Sequence, residues 1–500
     1  MALHTADELT TRLERRDADF RWRGQVVKNV TKHPDFTPTL LSWGGWLYQA
    51  AFDPETAKTM VARPDLNGED CHIFWHMAAS AEDLLQNLKA AQLLAERSPL
   101  TGYASIGRDE LHALMCATQD LDRARGTDYH RRVLDYVRRF QREQLMTAAA
   151  VTDVKGNRSL RPAQQDDPDM YLRIVDRNDE GIVVRGAKAH TSGSVGAEEL
   201  IVIPTRAMRE NEGQYAVAFA IPVDTPGITL VARALSAGSD SAWEAPISSH
   251  DELAETFTVF NDVFVPHERV FLQGEWESAG DVANVFASVN RQGYLGTESG
   301  KLRIFIGAAQ RIAELNGVAH VEHIRGKIAQ LIRMERSIWA LGVAASLESY
   351  SRAPGLQIPD PVLTNAGKHL CMESHFTACR LLLEIAGGAV TTAPLIEDLQ
   401  APDIKPLVEK YFRGAEPGSA WERLRVFKLI RDLAASEYSG YWNTEIIHGS
   451  GSPAAEVLAM YRETDLDACK ALVMRALEGR DAIAPPGTAT TAKVQRCPSR

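Results

Sequence analysis

Residues 181–194 read GIVVRGAKAHTSGS, a short apolar run with β-branched residues that ends in polar residues and a glycine. Runs of this kind favour β-strands bounded by turns. Similar runs, such as ELIVIPT, YAVAFAIPVD and ETFTVFNDVFVP, recur between about residues 150 and 272. Gly, Pro, Asn and Asp separate them, as in the loops between strands. The middle of the chain is therefore predicted to form a β domain of six to eight strands.

On both sides of this stretch, apolar residues repeat every three or four positions, which is the period of a helix packed on a core. The last part holds four or five such segments with short links and predicts an antiparallel bundle. We therefore predict an α+β fold with an N-terminal helical domain (1–148), a β domain (149–275), a C-terminal four-helix-bundle domain (276–480) and a disordered tail (481–500). This order resembles that of acyl-CoA dehydrogenase-like flavoproteins.

Composition narrows the class of protein. The 500 residues are 45% hydrophobic and 24% charged, with a net charge of −11 and no block of basic residues, so nucleic acid is not an expected partner. The N-terminus lacks the apolar core of an export signal, and no run of about 18 apolar residues could span a membrane. Six scattered cysteines indicate reduced thiols and no metal site. We expect a soluble cytoplasmic protein.

Common catalytic motifs are absent from the sequence, among them G-x-x-x-x-G-K-[ST], H-E-x-x-H and G-x-S-x-G. Three short stretches rich in backbone donors and hydroxyls remain: VTDVKGNRS (151–159), AKAHTSGSV (187–195) and HGSGSP (448–453). Amides, hydroxyls and nearby cations such as Lys155, Arg158 or Lys188 suit a diphosphate or a flavin. Taken singly, each stretch is more simply explained as a polar turn.

Polar residues also interrupt an apolar helix pattern at 285–305, VFASVNRQGYLGTESGKLRIF. Asn290, Arg291, Tyr294 and Glu298 would be costly to bury unless they contact each other or a ligand. The stretch is predicted to line a pocket; a solvated helix start is the alternative.

Several stretches together resemble the 4-hydroxyphenylacetate 3-hydroxylase / 4-hydroxybutyryl-CoA dehydratase family. They are RGQVVKNVTKHPDF (23–36), GIVVRGAKAHTSGS (181–194), VFNDVFVPHERVFL (259–272), GKLRIFIGAAQRIAELNG (300–317), RLRVFKLIRDLAASEYSG (423–440) and HGSGSP (448–453). The resemblance implies an acyl-CoA dehydrogenase-like fold, a homotetramer, and FAD between the β domain, the bundle and a neighbouring subunit. The glycines of HGSGSP would let the backbone approach the cofactor.

The resemblance also assigns candidate FAD-binding residues in the three polar stretches. They are Thr152, Asp153, Lys155, Arg158, His190, Thr191, Ser192, Gly449, Ser450 and Gly451.

One branch of the family, the dehydratases, holds a [4Fe-4S] cluster with three cysteines and one histidine. At the histidine and at one cysteine this chain has Asn290 and Thr297, and residues 101–114, where the other two cysteines belong, contain none. Without thiolates at these positions a cluster is not expected.

The other branch, the hydroxylases, uses FADH2 from a separate reductase together with O2. Its phenol-binding G-R-x-P-D-Y motif corresponds here to GRDELH, which keeps Arg108 but has His112 at the tyrosine, and the histidine before the flavin loop corresponds to about Ala148. Tyr294 and Glu445 instead match the dehydratase branch.

These comparisons favour an FADH2-dependent, two-component monooxygenase acting on an aromatic or carrier-activated small molecule. Arg108 and His112 would orient the substrate; Tyr294, Glu445 and His448 would move protons. A cluster-free flavoenzyme that isomerises, dehydrates or desaturates an acyl-thioester is the second hypothesis. A non-enzymatic helical assembly protein that retains the fold is the third.

Overall fold

A computed structural model describes residues 3–62, 66–100, 107–234, 241–352 and 354–478. The predicted disordered tail, residues 481–500, lies outside these ranges. The described part consists of helices on either side of a β domain, as the alternation of sequence patterns predicts.

The helices of the described residues follow the predicted helical segments closely. They are α1 (Ala6–Glu14), α2 (Thr37–Leu40), α3 (Ala57–Met60), α4 (Ala81–Ala95), α5 (Arg108–Arg125), α6 (Tyr129–Glu143), α7 (Trp276–Leu315), α8 (Glu322–Leu347), α9 (Pro361–Ala386), α10 (Ala389–Thr392), α11 (Ile396–Gln400), α12 (Lys405–Tyr411), α13 (Ala420–Ala434), α14 (Glu437–His448), α15 (Pro453–Glu463) and α16 (Leu466–Glu478). None of these helices is long and apolar enough to cross a membrane.

The strands form two larger sheets and two short hairpins. They are β1 (Asp19–Trp22), β2 (Gln25–Val27), β3 (Val61–Ala62), β4 (Cys71–His72), β5 (Thr147–Ala150), β6 (Arg173–Arg177), β7 (Gly181–Ser192), β8 (Glu199–Val202), β9 (Val217–Pro222), β10 (Ile228–Arg233), β11 (Glu255–Pro266), β12 (Val270–Gln273), β13 (Tyr350–Arg352) and β14 (Leu356–Ile358). The six-stranded sheet has the order β2-β1-β10-β11-β7-β6, and the four-stranded sheet β12-β9-β8-β5.

The two larger sheets share one apolar core. Phe219 of β9 and Phe260 of β11, one from each sheet, pack edge to face with ring centroids 6.0 Å apart. This core fixes the register of β11 against β7, in which Glu255 lies opposite Ser192. The end of the six-stranded sheet that carries these two residues faces the C-terminal helices, since Tyr441 of α14 contacts Glu255.

Residues near the N-terminus also belong to this sheet. β1 pairs in parallel with β10, and β2 pairs with β1 through a tight turn. The first 148 residues therefore contribute two strands to the six-stranded sheet and the short β3–β4 pair as well as helices. The division of the chain into domains at residue 148 stays a prediction.

The C-terminal helices α7, α8, α9 and α13 pack around an apolar core. In place of the continuous segment that the pattern at 421–440 indicates, α13 ends at Ala434 and α14 begins at Glu437. Ser436 causes the break, because its hydroxyl donates to the carbonyl of Asp432 (2.7 Å) and accepts from the amide of Ser439 (3.2 Å). The break turns α14 toward the β domain.

Candidate active site

The first two polar stretches lie side by side. The amide of Ala189 donates to the carbonyl of Thr152 (2.7 Å), and Asp153 and Lys188 form an isolated antiparallel bridge. The side chains of that pair are buried, with Lys188 Nζ 2.9 Å from Asp153 Oδ1. Buried ion pairs with satisfied hydrogen bonds hold a single arrangement, since breaking one leaves an unpaired charge. Asp153 and Lys188 therefore join the first two stretches inside the protein.

The third stretch, HGSGSP, begins at the end of α14, which contacts the β domain through Tyr441 and Glu255. Partial burial, followed by the positive charges of Lys155, His448 and Arg158, lowers the pKa of His190. Burial, followed by Arg158 and then by Arg206 among others, lowers the pKa of Lys155. We call Lys155, Arg158, His190, Arg206 and His448 the cation cluster. They come from all three stretches and one further loop. Lys155, Arg158 and Arg206 supply positive charge, which attracts an anion.

Each of the three stretches also contains a residue other than glycine with a left-handed backbone. The φ angles are +74° at Lys155, +57° at His190 and +60° at Ser450. Such conformations are unfavourable for residues with a Cβ atom and concentrate at ligand-binding sites.

The HGSGSP stretch, between α14 and α15, is held by α7. Arg291 Nε donates to the carbonyl of Ser450 (2.9 Å), and Arg291 Nη1 donates to Asn365 Oδ1 (2.7 Å). A Cβ atom at Gly451 would overlap the Arg291 guanidinium, and one at Gly449 would overlap the Glu445 carboxyl. The close approach that these glycines permit in the structure is thus to protein groups, whereas the sequence-based interpretation assigned it to the cofactor.

Glu255 and Glu445, which we call the carboxylate pair, lie where the β domain meets α14. Ser192 Oγ and Tyr441 OH each donate to Glu255 Oε1 at 2.8 Å. Glu445 is one helical turn from Tyr441, on the same face of α14. Burial, and after it the charge of Glu255, raises the pKa of Glu445 to about 7. A group with this pKa can accept or release a proton near neutral pH.

Glu255 and Tyr441 were not among the residues predicted from the sequence. Burial raises the pKa of Glu255 as well, while hydrogen bonds from Ser192 and Tyr441 oppose the rise. A sequence signal did exist, because a hydroxyl-rich strand end facing an acidic strand start is typical of polar cross-strand pairs. Using that signal requires the register of β7 and β11.

Tyr294 belongs to α7 and is 2% exposed. The ammonium of Lys368 is 4.8 Å from the centroid of its ring. Lys368 also donates to the carbonyl of Ile446 (2.7 Å), which holds the end of α14 against α9. The stretch 285–305 therefore lies inside the protein in the middle of α7, and the alternative of a solvated helix start is wrong.

Arg108 and His112 are buried at the start of α5. Arg108 Nη1 donates to Asn87 Oδ1 (2.7 Å), and Arg108 Nε donates to Asp109 Oδ1 (3.0 Å). Burial, followed by the charge of Arg108, lowers the pKa of His112 to about 3, so its ring is neutral. His112 Nε2 has no hydrogen-bond partner among the described residues. A bound ligand could supply that partner.

Other predicted cofactor-binding residues have roles within the protein. Thr191 is fully buried, and its Oγ1 accepts from Thr258 Oγ1 (3.0 Å). Ser192 bonds to Glu255, and Asp153 accepts from the amide of Leu172 (3.0 Å) as well as from Lys188. These side chains hold the strands and loops, while the exposed His190 and Arg158 lie on the surface of the site.

The residues present do not fit an iron-sulfur cluster. Asn290 Nδ2 donates to Asp109 Oδ2 (2.9 Å), and Asn290 Oδ1 accepts from Ser450. Thr297 Oγ1 donates to the carbonyl of Gly293 (3.4 Å). Neither side chain is a usual ligand for iron in such clusters. The nitrogen and the oxygen of the Asn290 amide also both form hydrogen bonds within the protein.

Comparison with solved structures defines the class of fold. The structure matches glutaryl-coenzyme A dehydrogenase with a TM-score of 0.50 at 12% identity, over 91% of this chain and 93% of that one, a likeness of fold alone. It matches the oxygenase component of 4-hydroxyphenylacetate 3-monooxygenase, complexed with FAD, with a TM-score of 0.86 at 26% identity, over 95% and 98% of the two chains. The predicted acyl-CoA dehydrogenase-like fold is confirmed.

Sequence comparison gives the family. The family models "4-hydroxyphenylacetate 3-hydroxylase N terminal" and "C terminal" match residues 5–272 and 279–478. The 4-hydroxybutyryl-CoA dehydratase/vinylacetyl-CoA-Δ-isomerase of Clostridium aminobutyricum is 31% identical over 482 residues, covering 94% of this chain and 98% of that protein. The 4-hydroxyphenylacetate 3-monooxygenase oxygenase component of Thermus thermophilus is 28% identical over 440 residues, covering 87% and 89%. The chain belongs to the 4-hydroxyphenylacetate 3-hydroxylase family.

Proposed function

We propose that this protein is the oxygenase component of a two-component, FADH2-dependent monooxygenase that acts on an aromatic or carrier-activated small molecule. One observation carries the proposal: Asn290, which the family resemblance sets at the cluster-ligating histidine of the dehydratase branch, is an amide bonded to Asp109 and Ser450. Relatives named as oxygenase components and a relative complexed with FAD support the choice. A separate flavin reductase would supply FADH2.

The residues of the site fit FAD. The cation cluster offers charge complementary to a diphosphate, and residues with left-handed backbone occur in each of the three stretches. Bound FADH2 would supply the electrons that reduce one atom of O2 to water while the other enters the substrate. The overall reaction is substrate-H + FADH2 + O2 → substrate-OH + FAD + H2O.

The carboxylate pair would manage protons in this reaction. Glu445, with its pKa near neutrality, can take the proton that leaves the hydroxylated carbon and return it during the formation of water. Tyr441 and Ser192 keep Glu255 hydrogen-bonded beside it. Tyr294, buried on α7, and His448 would also move protons. We propose that Arg108 and His112 orient the substrate. The contacting atom would be Nε2 of His112, which has no hydrogen-bond partner among the residues that the structure describes.

The carboxylate pair also favours the second candidate, a cluster-free enzyme that moves a proton on an acyl-thioester. A base with a pKa near 7 suits abstraction of a proton next to a carbonyl, and the relative named as a dehydratase and isomerase has 31% identity.

Gas exchange with purified protein separates these functions. A panel of para-substituted phenols, free and as thioesters, would be incubated with FADH2 generated by a commercial reductase under 18O2. The monooxygenase proposal predicts substrate-dependent oxygen uptake and one 18O atom in the product. Turnover of a thioester without O2 or reductant would favour the second candidate. Failure to bind FAD in either redox state would support the assembly protein.

We also propose that the protein is a cytoplasmic homotetramer. The apolar side chains of α15 and α16 support self-association, because Leu458, Tyr461, Leu472 and Leu477 are each more than half exposed. Light scattering during gel filtration tests the state: four chains are expected, and a stable monomer would contradict the proposal.

A further inference from the structure

The turn between β1 and β2 contains an arginine in a conformation that arginine disfavours. Trp22 pairs with Gln25, so Arg23 and Gly24 form a two-residue turn with φ angles of +49° and +78°. Positive φ at both positions defines a type I′ turn, in which asparagine or glycine is strongly preferred first. Arginine is unfavourable here, and strain of this kind persists mainly where a side chain has a function.

Arg23 stands at the edge of a surface pocket of about 450 Å³. Three cationic side chains (Arg23, Lys28 and Lys32) and one carboxylate (Asp35) line it, a surplus of two positive charges on a chain with a net charge of −11. The Arg23 guanidinium lies 5.1 Å from the ring centroid of Trp22, another lining residue. Because cations gather here against the overall charge of the protein, the pocket is suited to an anion.

Existing contacts leave this charge available. The carboxylate of Asp35 accepts a hydrogen bond from Trp22 Nε1 (2.6 Å). Among the described residues, Lys32 is the one cation of the pocket that has a carboxylate within 4 Å, that of Glu14 at 3.5 Å. Lys28 is exposed, and the half-exposed Val26 adds an apolar wall. Cations beside an apolar surface suit a ligand that carries both phosphate and a flat ring.

The strand register places the pocket at the catalytic end of the sheet. Arg21 of β1 is level with Val231 of β10, and Arg233 of β10 is level with Glu255 of β11. The turn that contains Arg23 follows β1 and is therefore at the same end of the sheet as Glu255. Strands β1 and β11 lie two strands apart, about 10 Å at the usual strand spacing.

We propose that this basic pocket binds the phosphate groups of a nucleotide. The nucleotide could be the adenosine 3′,5′-bisphosphate end of a thioester carrier or the adenosine diphosphate half of a dinucleotide. Both present phosphate oxygens to Arg23 and Lys28 and a base to Val26. The assignment stands independently of the proposed function, because binding needs no turnover.

Calorimetry with adenosine 3′,5′-bisphosphate, 5′-ADP and inorganic phosphate tests the pocket. We expect saturable nucleotide binding that weakens as salt rises, with inorganic phosphate weaker than either nucleotide. Tighter binding of the 3′,5′-bisphosphate would identify the thioester-carrier source, and tighter binding of 5′-ADP the dinucleotide source. No saturable binding of either nucleotide would overturn the proposal.

The variant Arg23→Asn removes the cation while placing in the turn a residue that accepts positive φ. We expect it to keep or raise the melting temperature and to weaken nucleotide binding at least about tenfold, with a larger loss in Arg23→Asn/Lys28→Gln. Lys58→Ala, an exposed lysine outside the pocket, is the matched control and should bind as the wild type does. Equal binding by the double variant and the wild type would show that the nucleotide binds elsewhere and would overturn the proposal.

Discussion

Replacing Glu445 with glutamine should make the protein more stable in alkaline solution and much less active. The structure raises the pKa of this carboxyl from an ordinary value of 4.5 to about 7. Below the lower value the group is protonated in both the folded and unfolded chains. As the pH rises from 4.5 to 7, the unfolded chain releases the proton first, so the stability present at low pH is lost.

The size of the loss follows from the two pKa values. A difference of about 2.5 pH units corresponds to about 3 kcal/mol, and partial exposure of the side chain reduces the expected value to about 2 kcal/mol. Glutamine has the same shape without the charge. Glu445→Gln should therefore match the wild type at about pH 4.5 and exceed its unfolding free energy by about 2 kcal/mol at about pH 9. Its kcat should fall at least about 100-fold, since a proton-transfer group is lost.

Urea unfolding of both proteins across this pH range measures the difference, in which other titrating groups cancel. Glu348→Gln is the control, because Glu348 is an exposed glutamate at the end of α8. It should change neither the pH dependence nor kcat. A difference between Glu445→Gln and wild type that is the same at every pH would refute the reasoning, as would full activity of the variant.

The remaining predictions concern how the loops are held. Gly449→Ala should destabilise the protein by about 1–3 kcal/mol in thermal unfolding, because its Cβ overlaps the Glu445 carboxyl. Gly440→Ala, with open space around it within α14, should instead stabilise the protein by up to about 1 kcal/mol. Equal effects of the two substitutions would contradict this explanation. Lys188→Met should cost about 3–5 kcal/mol, since it leaves Asp153 charged and buried, and Lys188→Met/Asp153→Asn should recover part of that loss. An unaltered midpoint in urea for Lys188→Met would show that the pair does not hold the two stretches.

Much of the fold can be predicted from local patterns. Helical periodicity locates α4 to α9, and HGSGSP lies between α14 and α15 as its glycines and proline indicate, because Ser452 caps α15 and Pro453 begins it. The strands at residues 19–27 are missed. They are three or four residues long, too short for a periodic signal, and β1 pairs with β10 more than 200 residues later.

The candidate site is predicted only in part. The three polar stretches are visible in sequence because amides, hydroxyls and cations concentrate in each. Glu255 and Tyr441 are not, since their contact depends on strand register and on the break at Ser436 that turns α14. The positions of Arg291 and Glu445 beside the two glycines of HGSGSP likewise cannot be predicted from the sequence.

The proposed site depends on three separate stretches that together bind one flavin. Anaerobic titration with FAD and FADH2, followed by absorbance and fluorescence, tests it most directly in the wild type, in Lys155→Ala and His448→Ala, and in the control Lys58→Ala. We predict that the wild type and Lys58→Ala bind with the same Kd and that loss of the Lys155 or the His448 side chain, one from the β domain and one from the bundle, raises Kd at least about tenfold. A wild type that binds neither form of the flavin, or variants that bind it as tightly as the wild type, would contradict it.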